Sequence, residues 1–193
     1  MNGMGALRMP ATDSPSSPLT GAYWVLPGRL LAGPYPGAPT WGETRARLEA
    51  LLRAGVGGVL RLTQAHEARY QMRAHVAYEM ELLALARARR RPLAIHRFPL
   101  LRGLAPERRA LAAILDGLDL ALAGGRIVYL HCWSGTGRSG MVAGCHLVRH
   151  DLASPDRALE RLEELRRLAG LESGRTPELA GQRRLVRAWR PGD

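Results

Sequence analysis

The sequence contains no lysine, and its 28 basic residues are all arginine. It has only two cysteines, Cys132 and Cys145, a number that by itself does not distinguish an oxidising from a reducing compartment. The N-terminus lacks an apolar run of roughly 7–15 residues, as in signal peptides, and no stretch approaches the roughly 18 apolar residues of a membrane span. We therefore expect a cytoplasmic protein without a membrane span, in a reducing compartment that keeps a reactive thiolate usable.

The sequence also lacks the clusters of basic and aromatic residues that nucleic-acid binding requires. The formal net charge is +11, but the one tight basic run, Arg89 to Arg91, falls at a predicted helix end, where cations complement the helix dipole. The richness in Arg, Ala, Gly, Leu and Pro is typical of a GC-rich genome. It also creates a positive field that attracts anionic ligands such as phosphates. We predict no nucleic-acid partner.

The length of 193 residues and the hydrophobic content of 46% suit one domain with a sizeable core. Residues 1–20 hold several prolines and a serine-rich stretch, and their apolar content is too small to offset the entropy of ordering. We predict that residues 1–20 form a flexible tail and that residues 21–193 form the domain.

Hydrophobic patterns predict strands that alternate with helices. Thr40 and Glu43 form a capping box for a helix that ends at Gly55, and a later helix is expected to bury Met80. The alternation predicts an α/β fold, a single domain with a central, mostly parallel sheet flanked by helices. The predicted strands are 23–25, 29–32, 56–63, 93–98 and 126–130, and the helices after the first are 76–91, 106–123, 138–150, 155–168 and 177–189.

The junction between strand 126–130 and helix 138–150 carries a pattern of Cys, five residues and Arg. Cys132 is suited to be a nucleophile, because a helix N-terminus and the basic neighbours His131 and Arg138 favour the thiolate. Gly135 and Gly137 let successive backbone N–H groups point inward and form a nest for an anion.

The other side chains of this junction complete a phosphate-binding loop. Arg138 offers a planar fork that grips two phosphate oxygens at once. The hydroxyl of Ser139 can donate to the thiolate and ease its departure from a phosphocysteine. The remaining loop residues are Trp133, Ser134 and Thr136.

No metal or other cofactor is required by this chemistry. The histidines outside the loop lack metal-ligand spacing among themselves, and Cys145 is predicted to pack in the core. These histidines are His66, His75, His96, His146 and His150.

The stretch from His131 to Ser139 resembles the phosphate loop of the protein tyrosine phosphatase superfamily. The flanking stretches 24–30, 58–63 and 176–189 resemble the opening hairpin, the strand ending in Leu-Thr and the closing helix of its compact dual-specificity branch, including bacterial members. The resemblance implies the cysteine-phosphatase fold and a phosphatase that acts on phosphorylated proteins or small phosphomonoesters through a phosphocysteine on Cys132. It also implies that Gln182 is a candidate for positioning water.

The sequence departs from the family pattern where an Asp normally serves as general acid, because Arg102 occupies that position. Arg cannot donate a proton usefully at neutral pH, so Glu107 is the candidate general acid. An alternative hypothesis is a pseudophosphatase that binds phosphorylated ligands with little turnover. A further alternative is an inositol-phosphate or phosphoinositide phosphatase. Arg102 at the pocket edge favours this alternative, whereas the neutral residues of the loop argue against it.

Overall fold

The structure is a computed structural model that describes residues 15–65, 67, 75–172 and 174–193. Five strands form one sheet in the described part of the chain: β1 Tyr23–Leu26, β2 Leu30–Gly33, β3 Val56–Arg61, β4 Ala94–Arg97 and β5 Ile127–His131. The described helices are α1 Trp41–Arg53, α2 Glu79–Ala88, α3 Arg108–Ala123, α4 Arg138–Arg149, α5 Pro155–Leu168 and α6 Ala180–Ala188.

The sheet has the strand order β1-β2-β5-β3-β4. Strand β1 pairs with β2 in antiparallel fashion, and every other neighbouring pair is parallel. The predicted α/β class with a mostly parallel sheet is therefore confirmed. Since β5 lies in the middle, its last residue, His131, is flanked by Gly33 of β2 and Arg61 of β3. Ligands of open parallel sheets bind beyond the carboxyl ends of the strands, which is where the chain after His131 lies.

Helices cover both faces of the sheet. One core cluster joins the sheet to α3, α4, α5 and α6, and the other joins it to α1 and α2. Helix α4 is enclosed by this packing, since residues 138–148 are all buried. The phosphate-binding loop therefore feeds into a helix that has little freedom to move. In the part of the chain that is described, no helix is both long and apolar enough to cross a membrane.

Helix α1 shows the predicted capping box. The Thr40 hydroxyl accepts a hydrogen bond from the Glu43 amide at 3.2 Å and donates to the Glu43 carboxylate at 2.9 Å. Gly55 follows the helix with a φ of +88°, a backbone conformation that favours glycine. Cys145 is fully buried in the larger core cluster, which confirms its predicted packing role.

Two predictions on this half of the chain were wrong in detail. Met80 was expected to face inward, but it is 79% exposed, and Leu82, Leu85 and Ala86 are the buried residues of α2. Because apolar residues occupy adjacent positions in this helix, the sequence did not determine which face is buried. The stretch 93–98 was expected to be a buried strand, but β4 lies at the edge of the sheet, with Arg97 exposed and its other residues only partly buried.

Residues 1–14 of the predicted tail, together with His66, lie outside the described residues. Within the described part of the tail, Leu19 is buried and packs in the smaller core cluster with Ala22 and Trp24. The Ser17 hydroxyl donates to the Leu19 carbonyl at 2.9 Å. The division into a tail and a domain stays a prediction.

Candidate active site

The predicted nucleophile lies between the central strand and the enclosed helix. Cys132 directly follows β5, is 2% exposed, and its Sγ is 3.1 Å from the Ser139 Oγ. Helix α4 begins at Arg138, and its N-cap Gly137 makes no side-chain capping bond. The first N–H groups of α4 therefore remain available to an anion, and the helix dipole favours negative charge there.

The loop needs glycine at one position for steric reasons. Gly135 has a φ of +81°, and a Cβ there would lie 2.6 Å from the Gly33 carbonyl carbon and 2.7 Å from the Pro34 nitrogen. Any larger residue would push the loop away from the end of β2. Gly135 thus lets the loop lie against the sheet while its backbone curls around the anion site.

Arg138 is held by a buried ion pair that the sequence analysis did not foresee. Its Nη1 and Nη2 donate to the two carboxylate oxygens of Glu67 at 2.5 and 2.6 Å, and both side chains are buried. Nη1 also lies within hydrogen-bond distance of the carbonyls of Leu62 and Leu100. These bonds to Glu67, Leu62 and Leu100 do not use Nε and one N–H of Nη2, since a guanidinium carries five N–H donors. Arg138 also makes a side-chain hydrogen bond with Cys132.

The electrostatics of this pair favour its charged form. Burial raises the pKa of Glu67, but hydrogen bonds from Arg138 and from the Gln64 amide bring it below its ordinary value. Burial lowers the pKa of Arg138, and the hydrogen bonds to Glu67 together with the charge of the nearby Cys132 raise it above its ordinary value. At neutral pH Arg138 is therefore a cation that the ionised Glu67 orients.

Replacing Glu67 by Gln should leave Arg138 as a buried charge without a counter-ion. We expect Glu67→Gln to lose roughly 3 kcal/mol of unfolding free energy at neutral pH. Because the folded-state pKa of Glu67 lies below its unfolded value, the wild-type advantage is fully present above about pH 4.5 and is lost as pH falls through the folded pKa. Denaturant unfolding at several pH values checks this, with exposed Glu160→Gln as the control; equal stability of Glu67→Gln and wild type at neutral pH would contradict it.

His131 is buried and neutral. Burial lowers the pKa of His131 to about 4, so positive charge near the thiol comes from Arg138 and not from this imidazole. Its Nδ1 lies 3.1 Å from the Cys132 carbonyl oxygen, and its Nε2 lies 2.7 Å from the hydroxyl of the fully buried Tyr78. A neutral imidazole that donates a hydrogen bond from Nδ1 to the Cys132 carbonyl accepts a hydrogen bond at Nε2 from the Tyr78 hydroxyl. His131 thus holds the backbone of Cys132 in place through hydrogen bonds. From sequence it was expected to act as a basic neighbour of the thiol, and its neutral state corrects that expectation.

The rest of the loop is fixed by contacts with neighbouring segments. Trp133 stacks on Tyr35, with ring centroids 5.2 Å apart. The hydroxyls of Ser134 and Thr136 are 2.7 Å apart, and Thr136 also donates to the carboxylate of Glu178. The loop is therefore attached to the segment before α6 as well as to the sheet.

A cavity of about 310 Å³ opens above the loop. Arg102 lies at its edge, which agrees with the position inferred for it from sequence. Gln182 lines it too, is 2% exposed, and its Oε1 has no hydrogen-bond partner among the described residues. The lining residues are Arg102, Gly103, Cys132, Trp133, Ser134, Gly137, Arg138, Glu178, Leu179 and Gln182.

The candidate acids occupy different places. Glu107 is exposed at the N-cap of α3 and does not line this cavity. Glu178 does line it, and it is the one carboxyl group among the lining residues that the structure describes. The sequence analysis missed Glu178, Glu67 and Tyr78, because each reaches the loop from a distant segment. The signal that could have found Glu67 is a carboxylate soon after the Leu-Thr stretch, where a family resemblance was already visible.

Curated relatives match parts of the chain. Cyclin-dependent kinase inhibitor 3 of Sus scrofa is 36% identical over 72 residues, which cover 37% of this chain and 34% of that protein. Phosphatidylglycerophosphate phosphatase PTPMT2 of Arabidopsis thaliana is 28% identical over 122 residues, which cover 63% of this chain and 48% of that protein. The matches thus span less than half of either relative's length.

A solved structure gives the fold over nearly the whole domain. Tk-PTP in its active form superposes with a TM-score of 0.65 at 20% identity, covering 86% of this chain and 93% of that one. Together with the sheet order, this likeness shows that the domain has the compact fold of that phosphatase.

The family of the chain is also defined. The model of the family described as "Polymorphic toxin system, DSP-PTPase phosphatase" matches residues 37–152, and the chain belongs to this family. The match includes the whole stretch from His131 to Ser139, so the superfamily predicted from that motif is confirmed. That family is described as one of phosphatases of the dual-specificity type.

Proposed function

We propose that the protein hydrolyses phosphomonoesters, with phosphotyrosine-like groups preferred, through a phosphocysteine on Cys132. The observation that supports this most is the position of the buried Cys132 thiol next to the N-terminus of α4. Arg138 lies at the same helix end and is paired with Glu67. Both free cysteines are compatible with a reducing compartment such as the cytoplasm, which we include in the proposal.

The first step forms the Cys132 Sγ–P bond while the P–O bond to the leaving group breaks. Loop N–H groups and Arg138 bind the three non-bridging oxygens, whose charge is spread in the transition state. In the second step water attacks phosphorus and the S–P bond breaks, while the carboxylate left by the general acid of the first step takes the proton of the water. The Ser139 hydroxyl donates to the returning thiolate. Gln182 lies in the cavity wall, which supports the proposal that its side chain positions that water.

We propose further that Glu178 protonates the leaving oxygen, in place of Glu107. Glu178 lines the cavity, and Thr136 of the loop donates to its carboxylate. A general acid must lie within reach of the leaving oxygen, and a carboxyl group in the cavity wall meets this requirement. The segment that carries Glu178 is tied to the loop by the Thr176 hydroxyl, which donates to the Thr136 carbonyl at 2.9 Å.

A series of aryl phosphates with phenols of different acidity tests both the turnover and the acid. Wild type should turn over with vanadate sensitivity, whereas a pseudophosphatase would only bind. Glu178→Gln should slow poor leaving groups by about 10²-fold or more and good ones little, because only poor ones need a proton.

Two matched variants decide between the acids. In Glu107→Gln the rate should depend on the leaving group as it does in wild type. Arg102→Asp should increase the rate with poor leaving groups only little. If Glu107→Gln steepens the dependence, Glu107 is the acid. If Arg102→Asp instead speeds poor leaving groups by about 10-fold or more, the wild-type site lacks an acid and the role given to Glu178 is wrong.

A second substrate class is supported by one side chain and one relative. Arg102 adds a cation at the cavity edge, and the Arabidopsis relative is named as a phosphatidylglycerophosphate phosphatase. A substrate with a further anionic group, such as a phospholipid phosphate or an inositol phosphate, would contact Arg102. The same turnover assay distinguishes this class, since its kcat/KM would then exceed that of phosphotyrosine peptides.

A further inference from the structure

A cluster of titratable side chains lies at the far end of α4 from the phosphate-binding loop. Asp119 projects from α3, His146 lies on α4, and His150 is the C-cap of α4. One ligand atom from each lies within 4.8 Å of the others. With a helical rise of about 1.5 Å per residue, His150 is roughly 18 Å along the axis from Arg138, so this cluster is separate from the active site.

The histidines outside the loop were expected to lack metal-ligand spacing among themselves, but two of them meet a carboxylate of a second helix here. His146 and His150 are four residues apart, which places them on one face of α4. Their ring centroids are 4.5 Å apart. The third member, Asp119, is distant in sequence and reaches them only through the packing of α3 on α4.

The distances suit one small cation. Asp119 Oδ1 lies 3.2 Å from His146 Nδ1 and 2.8 Å from His150 Nε2. Ligand atoms of a tetrahedral zinc ion lie about 3.3–3.5 Å apart, since each is about 2.0–2.2 Å from the metal. Small side-chain rotations would therefore bring all three atoms to coordinating positions.

His146 points independently to a ligand at this cluster. The His146 residue is 3% exposed, and its Nδ1, although 3.2 Å from Asp119 Oδ1, makes no hydrogen bond among the described residues. A buried polar atom without a partner is costly, and a metal ion would satisfy it. His150 and Asp119 are partly exposed, so an ion can enter from solvent.

We propose that Asp119, His146 and His150 bind a divalent transition-metal ion of the zinc and cobalt class. Two imidazoles and one carboxylate form a ligand set that suits these ions and leaves one coordination position for water. The bound ion would bridge α3 and the C-terminal end of α4. Because α4 carries the phosphate-binding loop at its other end, the site would stabilise the helix that positions Arg138 and Ser139.

Arg149 orients the carboxylate of this cluster. Arg149 lies 3.5 Å from the other oxygen of Asp119 and also pairs with Asp116. An outer partner on the second carboxylate oxygen fixes the orientation of a metal-ligating carboxylate.

The test is titration of the untagged full chain with Zn²⁺ by calorimetry and with Co²⁺ by visible absorption. A Cys132→Ser background removes the active-site thiol as a competing ligand. We expect one ion per chain, and a loss of affinity of at least about 10-fold in His150→Gln and in Asp119→Asn. These ligands are partly exposed, so both variants should fold, and metal should raise the Tm of the parent more than theirs.

His96→Gln is the matched control, because it removes a histidine on β4 and leaves the cluster intact. It should bind the metal as the parent does. Absence of binding to the parent would overturn the proposal. So would binding that survives in both His150→Gln and Asp119→Asn, or that is lost equally in His96→Gln.

Discussion

Cys132→Ser should abolish turnover while the protein keeps its affinity for vanadate or phosphate. The hydroxyl is a far weaker nucleophile than a thiolate, whereas the anion site is built from loop N–H groups and Arg138, which the substitution leaves in place. We expect kcat to fall to background, on the order of 10⁶-fold, the scale seen when another covalent enzyme loses its nucleophile. Aryl phosphate hydrolysis and vanadate binding, measured on the same preparation, check the two halves of this result.

Cys145→Ser is the control for that experiment, because it changes the second thiol in the chain. Cys145 is buried in the core with no access to the cavity, and burial raises the pKa of its thiol well above the usual value. Its replacement should leave kcat within a few-fold of wild type. Full activity in Cys132→Ser, or loss of activity in Cys145→Ser with the fold intact, would assign the chemistry to a different residue.

Arg138→Lys should lower kcat/KM by about 10²-fold or more, since removal of one preorganised electrostatic donor has an effect of this size. Lys retains the charge but not the planar fork, so it cannot pair with both oxygens of Glu67 and also contact phosphate through two N–H groups. Vanadate affinity should fall as well, because the same donors bind the ground-state anion. Steady-state kinetics and vanadate titration measure both effects.

Arg157→Lys makes the same chemical change on the surface of α5, where Arg157 pairs only with Glu160 among the described residues. It should behave as wild type, because exposed ion pairs of this kind contribute little. A change of only a few-fold in Arg138→Lys would mean that Arg138 does not bind the phosphate, and the proposed geometry of the site would fail.

The fold and the centre of the site were predictable because their signals are local. The capping box of Thr40, the alternation of strands and helices, and the stretch from His131 to Ser139 each lie within a few residues of sequence. The strand-to-helix junction also fixes where the loop must be, since β5 lies in the middle of the sheet. The buried face of α2 was not predictable, because Met80 and Leu82 are both apolar and only the tertiary packing determines which of them is buried.

The partners of the site were not predictable because they come from distant segments. Glu67 is 71 residues from Arg138 and Tyr78 is 53 residues from His131. Glu178 reaches the loop from beyond α5, and Asp119 meets its histidines only through the packing of two helices. The neutral state of His131 likewise follows from its burial, which cannot be read from the sequence.

The central claim is that a phosphoryl group is transferred to Cys132 during turnover. Rapid acid quenching of wild type during hydrolysis of an aryl phosphate, followed by peptide mass spectrometry, measures this directly. We expect the peptide containing Cys132 to gain the mass of one phosphoryl group, with fragment ions that place it on the thiol, and Cys132→Ser to show no such gain. Active turnover with no phosphorylated Cys132 at any quench time, or with the group on another residue, would contradict it.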